Sequence, residues 1–92
     1  MPYITQNARL DLRLPIRNLA LEIAAKADAK PGDLVGALNY AITELLLYTN
    51  PSRYNDFNAL VGMLECCKLE FYRRAVAAYE DEKIQEHGDV YK

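Results

Sequence analysis

Tryptophan is absent, histidine occurs once, and glycine and proline supply only four residues each in a chain of 92. Few breakers beside a 51% hydrophobic content rich in Leu and Ala suit packed helices and argue against disorder. The lone His87, with no Cys-x-x-Cys and no Glu-x-x-His pairing, leaves no metal site to expect. No excess of basic charge exists either: the net charge is −2, so nothing draws the chain to nucleic acid, and base stacking on its aromatics has no basic groove to support it. Long apolar runs are missing. The run Leu45 to Tyr48 is far short of the roughly 20 residues that cross a bilayer, so no membrane span is expected. The opening residues lack a basic stretch followed by an apolar core, which predicts no signal peptide and a cytoplasmic protein.

Reaction motifs are lacking as well. The chain has no phosphate-cradling glycine loop, no Gly-x-Ser-x-Gly and no paired carboxylates in an evident cleft. The only two cysteines, Cys66 and Cys67, are neighbours, and neighbouring helical positions point about 100° apart, which excludes a disulfide between them and predicts reduced, buried thiols. A Cys-His nucleophile would have to join them to His87, some 20 residues or ~30 Å away along a continuous helix. Only a sharp break near Ala77 to Tyr79 would allow that, so the chain is not expected to be an enzyme and no cofactor is expected.

What is present is helical pattern. Thr5 can cap a short helix from Gln6, with Ile4 stapling it. Pro15 suits the first turn of a new helix, in which Ile16, Leu19, Ala20, Ile23, Ala24 and Ala27 form an amphipathic stripe ending near Ala29. Lys30-Pro31-Gly32-Asp33 reads as a turn, with Asp33 capping a second helix of about 34 to 49. Its expected inner face is Leu34, Val35, Leu38, Ile42, Leu45, Leu46 and Thr49, with Asn39 and Thr43 placed for a polar contact at the edge. Asn50-Pro51 then reads as cap and first residue of a third helix.

That third stretch runs to His87-Gly88, where glycine can end it, leaving 88–92 as a short tail. Phe57, Leu60, Val61, Leu64, Cys67 and Phe71 recur at three or four, and Met63, Cys66, Leu69, Val76 and Tyr79 make a second stripe beside them. A helix apolar on so much of its girth is contacted on two or more sides, and two shorter helices cannot cover it all. A second copy is the simplest remaining cover, which makes Phe57, Leu60, Val61, Leu64, Phe71 and Tyr79 candidate interface residues of a homo-oligomer. The predicted fold is therefore all-α and a single domain over 1–92: a short N-terminal helix, a helical hairpin and a long C-terminal helix, packed as a small bundle.

Charge is unevenly spread. Arg9, Arg13, Arg17, Lys26 and Lys30 weight the front, whereas Glu80, Asp81, Glu82, Glu86 and Asp89 weight the tail, and the two could meet within a subunit or between two. Acidic residues in the last turns also oppose the helix dipole unless cations lie close. The densest functional cluster is Glu65, Lys68, Glu70, Tyr72, Arg73 and Arg74. In the plainer reading it is a solvated face laced with weak ion pairs, Glu70 with Arg74 or Arg73 and Glu65 with Lys68. In the sharper one, Lys68, Tyr72, Arg73 and Arg74 grip a small anion, such as a phosphate or a nucleotide. Seven tyrosines suit an interface, being apolar in body and polar at the tip, but equally suit the rim of an ordinary core.

At Met1-Pro2-Tyr3-Ile4, Gly36-Ala37-Leu38-Asn39-Tyr40-Ala41-Ile42-Thr43, Leu64-Glu65-Cys66, Lys68-Leu69-Glu70-Phe71-Tyr72-Arg73-Arg74, Tyr79-Glu80-Asp81 with Lys83, and Gly88-Asp89-Val90-Tyr91, the chain resembles a family of short uncharacterised proteins from bacterial, archaeal and phage genomes. The resemblance covers most of the chain and implies no activity. Relatives with proline at the position of Ala78 imply a helix bent there. A phage setting implies that capture of a host signalling nucleotide is conceivable for the anion site.

Overall fold

The computed structural model describes residues 3–30 and 32–91, without the side chain of Ala29. The described residues are helices and connections with no strand among them, and they divide into two compact units, Tyr3–Arg53 and residues 54–91. This bears out the all-α expectation.

In the first unit α1 spans Gln6–Ala29 and α2 spans Asp33–Tyr48, packed on each other as a hairpin. Thr5 caps α1 as expected: its backbone is extended, its hydroxyl accepts from the Ala8 N–H at 3.3 Å, and its carbonyl accepts from Arg9 N–H at 3.0 Å. The separate short N-terminal helix is not found. Pro15 lies inside α1, which continues through it. The ring removes the N–H that would bond the Asp11 carbonyl and crowds that carbonyl, a cost of about 3 kcal/mol, yet helix-favouring Leu, Arg and Ala residues carry the helix through.

Lys30, which precedes Pro31, is extended, as that position requires, and Asp33 N–H closes the turn on the Lys30 carbonyl at 3.2 Å. Gly32 takes a left-handed φ of 98° and is itself the residue at the N-cap of α2, with no side-chain cap bond. Asp33 is thus the first residue of the helix rather than its cap, where its carboxylate meets the positive end of the dipole. The expected polar edge is present: the Thr43 hydroxyl donates to the Asn39 carbonyl at 2.8 Å.

The expected inner face of α2 is found in part: Leu45 lines the groove with α1 and Leu46 is half-buried, but other members face outward. The groove shared with α1 is lined by Ala37, Ala41, Glu44, Leu45 and the rims of Tyr40 and Tyr48, while Val35 is 74% exposed and Leu34, Leu38 and Ile42 are exposed as well. Ala37, Ala41, Glu44 and Leu46 are the half-buried residues of this helix. From α1, Leu19, Glu22, Ile23 and Lys26 line the same groove, and Ile23, 8% exposed, is the one buried side chain among the described residues. With 24 residues against 16, α1 outruns α2 by ~12 Å, so its first two turns have no α2 beneath them.

Asn50 does not cap a third helix. It ends α2 in the left-handed conformation, φ 57°, with its N–H on the Leu47 carbonyl at 3.0 Å and the Thr49 hydroxyl on the Leu46 carbonyl at 2.6 Å. Asparagine tolerates that conformation, and Pro51, lacking an N–H, cannot add a further closing bond. The next helix starts later, at Tyr54.

The second unit is one helical run. Here α3 spans Tyr54–Phe71, a five-residue wide turn of π geometry spans Tyr72–Val76, and α4 spans Ala77–His87. Backbone angles stay helical at Phe71, Val76 and Ala77, so no break occurs at Ala78. The departure from regularity lies in the turn before it. Gly88 ends α4 at φ 83°, its N–H on the Ile84 carbonyl at 2.8 Å, as the sequence predicts. Asp89 then folds the tail by accepting from Tyr91 N–H at 2.9 Å. Among the described helices none is long and apolar enough to cross a membrane.

Candidate functional site

The wide turn holds three of the four residues expected to grip an anion. In π geometry the Ala77 N–H reaches back five residues to the Tyr72 carbonyl instead of four, which fits one extra residue into the turn. At about 100° per residue, that insertion re-phases everything beyond Val76 by about one residue. Positions eight apart across the turn then lie almost in line, as positions seven apart do in a regular helix. Tyr72 and Glu80 are such a pair, and the Tyr72 hydroxyl donates to Glu80 Oε1 at 2.7 Å. That bond raises the Tyr72 pKa, with the Glu80 charge and desolvation adding to it in the same direction. Nothing local in Tyr-Arg-Arg-Ala-Val marks the turn in the sequence, and Glu80 was not foreseen as a partner.

Around it the expected ion pairs form in part. Lys68 Nζ meets Glu65 at 2.9 Å, and Arg73 Nη2 meets Glu70 at 2.9 Å, so Glu70 takes the residue three positions on rather than Arg74. Among the described residues Arg74 makes no ion pair. Lys68, Tyr72 and Arg73 are therefore each engaged with a carboxylate of their own helix, on an exposed surface. Further along, Lys83 bonds Glu86 at 3.0 Å and stands 5.3 Å from the centre of the Tyr79 ring, which gives the acidic last turns a cation, and His87 Nε2 lies 3.5 Å from Glu86.

The candidate interface residues sort by the same phase. Measured from Phe71, Phe57, Leu60, Leu64 and Cys67 fall within about 40° of one line, whereas Val61 lies about 80° off it. A regular helix would turn Tyr79 about 80° off that line; the extra residue brings it back to within about 20°. Phe57, Phe71 (65%) and Tyr79 (58%) are exposed along this line, whereas Leu60 and Leu64 are half-buried. Both thiols are free and exposed, which corrects the expectation of buried cysteines: a single helix has no interior to hold them. The unbroken helix through Ala77 to Tyr79 keeps them ~30 Å from His87.

The first unit contributes a different feature. Between α1 and α2 lies an open groove of about 350 Å³, apolar along Leu19, Ile23, Ala41 and Leu45, with Tyr40, Tyr48, Glu22 and Glu44 near its edges. Periodicity places Leu19, Ile23 and Leu45 inward, and they line it; it does not assign Ala37, Ala41, Tyr40 and Tyr48 to it. No group of three or more metal-binding side chains gathers among the described residues.

One family model, described as a domain of unknown function (DUF6899), matches residues 1–90. No curated protein and no solved structure matches the chain.

Proposed function

The chain belongs to the DUF6899 family, a domain of unknown function, and we propose that it acts as a non-enzymatic helical interaction module that assembles with copies of itself through the long C-terminal helix. One observation carries this reading: residues 54–87 are a single helical run along which Phe57, Phe71 and Tyr79 stand exposed, in line with the half-buried Leu60 and Leu64. A helix stabilised by its own hydrogen bonds alone is marginal in water, and an apolar face is what tertiary or quaternary packing uses. An isologous pairing of this face with its twin places the same side chains on both partners. Light scattering at micromolar concentration tests it. A mass that is a multiple of 10.5 kDa is expected, collapsing to one chain on Phe71→Glu, whereas a single-chain mass for the unaltered protein sinks the proposal.

A second reading has its own support. Wide turns of this kind recur at functional sites, and Arg74 adjoins Tyr72 and Arg73 without an ion pair of its own among the described residues. In this reading Lys68, Tyr72, Arg73 and Arg74 hold a small anion such as a phosphate or nucleotide, exchanging carboxylate partners for it. Thermal-shift measurements with inorganic phosphate and with nucleotides test this, and a shift abolished by Arg74→Ala is the expected result. No shift with any of them removes it.

A further inference from the structure

We infer that the open groove between α1 and α2 binds a small organic cation, an ammonium on an apolar body, held by the rings of Tyr40 and Tyr48 and the carboxylates of Glu44 and Glu22. The site lies wholly within the first unit and is independent of both readings above.

Spacing on α2 builds the site. Tyr40, Glu44 and Tyr48 recur every fourth residue, so they stand one turn above another on one face, with successive Cβ atoms about 6 Å apart. Glu44 therefore has a tyrosine on each side along the helix, and Glu22 lines the same groove from α1. Glu44 is half-buried, and among the described residues neither it nor Glu22 has a hydrogen-bond or ion-pair partner. Lys26, one turn after Glu22, also lines the groove but pairs with neither carboxylate. A half-buried carboxylate beside apolar walls gives up hydration that no protein group here replaces, and a bound cation would supply the missing partner.

Charge and size select the occupant. Glu22 and Glu44 against Lys26 leave the lining net negative, which disfavours an anion, while the faces of aromatic rings attract cations. Tyr40 and Tyr48, 69% and 80% exposed, are open to a guest from solvent. Leu19, Ile23, Ala41 and Leu45 offer the apolar surface for its body. The volume of about 350 Å³ falls at the small end of ligand sites, about 300–1,000 Å³. One turn of helix with its side chains fills roughly 400 Å³, so a metabolite-sized molecule fits the groove and a partner helix does not.

The probe is benzyltrimethylammonium, with benzyl alcohol and benzenesulfonate as its neutral and anionic counterparts, each titrated into the full chain and followed by amide nitrogen-15 correlation spectra. The cation should give saturable shifts at Leu19, Ile23, Ala41 and Leu45. Benzyl alcohol should bind roughly fivefold more weakly or worse, as expected when the cation–π contacts are lost, and benzenesulfonate should leave these signals in place. Glu44→Gln, Tyr40→Leu and Tyr48→Leu should each raise the dissociation constant roughly three- to tenfold. Lys26→Gln, which removes the cation lining the groove, should lower it, and Arg74→Ala on the second unit should not alter it. The same spectra report whether each variant keeps its helices. No saturable shift with the unaltered chain overturns the inference. So do equal binding of the three probes, shifts centred on the acidic residues of α4, or an affinity indifferent to Glu44→Gln and both tyrosine changes.

Discussion

Replacing Pro15 by alanine separates two geometries of the N-terminal third. Inside α1, Pro15 lacks the N–H that would satisfy the Asp11 carbonyl, and its ring presses on that carbonyl. Alanine restores the bond and removes the clash, worth about 3 kcal/mol at a helix interior. Alanine also loosens the unfolded chain, which takes back about 0.4–1 kcal/mol. The net gain is about 2 kcal/mol, and in a chain of 92 residues each kcal/mol raises Tm by about 4–8 °C, so a rise of about 8–16 °C is expected. Had the helix begun at Pro15, the ring would already be in its favoured place, and alanine would lower stability by the unfolded-state term alone. Thermal melts followed by far-ultraviolet circular dichroism, at one fixed chain concentration because assembly also shifts Tm, give the answer. An unchanged or lowered Tm refutes a continuous α1.

The remaining expectations are local. The Tyr72 phenol titrates above the usual tyrosine range because it donates to Glu80; since the folded value lies above the unfolded one, the bond's contribution is complete below the ordinary range and is lost as pH rises through the raised value. Alkaline titration of the unaltered protein beside Glu80→Gln should show that loss of helix stability only in the former, and identical curves would contradict it. Ile23→Ala removes the one buried side chain among the described residues and should cost about 2 kcal/mol, the low end for such a truncation because the open groove can relax around it. A urea melt that moves by less than about a quarter of that amount would place Ile23 outside the packed contact. Asn50→Ala should cost about 1 kcal/mol because its φ of 57° is one that alanine resists, with Asn50→Gly neutral or slightly favourable; equal stability of the two would argue against a left-handed Asn50.

Features fixed within three or four residues were legible in the sequence. Thr5 on Ala8, Thr43 on Asn39, Lys68 on Glu65 and Gly88 at a helix end each depend on chemistry that repeats wherever the spacing does. Features that depend on a choice between two locally acceptable arrangements were not. Proline at a first turn and proline inside a helix have the same neighbours in the sequence, and only the continuity of α1 decides between them. The face of α2 was read in part: Leu45 and Leu46 turn inward as their spacing implies, but Leu34, Val35, Leu38 and Ile42 are exposed while Ala37 and Ala41 line the groove. The wide turn left only an indirect trace: Tyr79 belongs in line with Phe71 if one residue is discounted, and to a separate stripe if none is. Ala78 drew attention to roughly the right stretch, for the wrong reason.

Cys66 and Cys67 place two chemical reporters on opposite sides of the central claim. Cys67 lies about 40° from the line of Phe71 and Leu64, and Cys66 about 140° from it; both are exposed in the single chain. The measurement is the rate of thiol modification in a Cys66→Ser chain, which retains only Cys67, and in a Cys67→Ser chain, which retains only Cys66, each followed as the protein is diluted. Assembly through this face predicts that Cys67 reacts slowly at high concentration and speeds up on dilution, while Cys66 reacts quickly throughout. Equal, concentration-independent rates for the two thiols would contradict it.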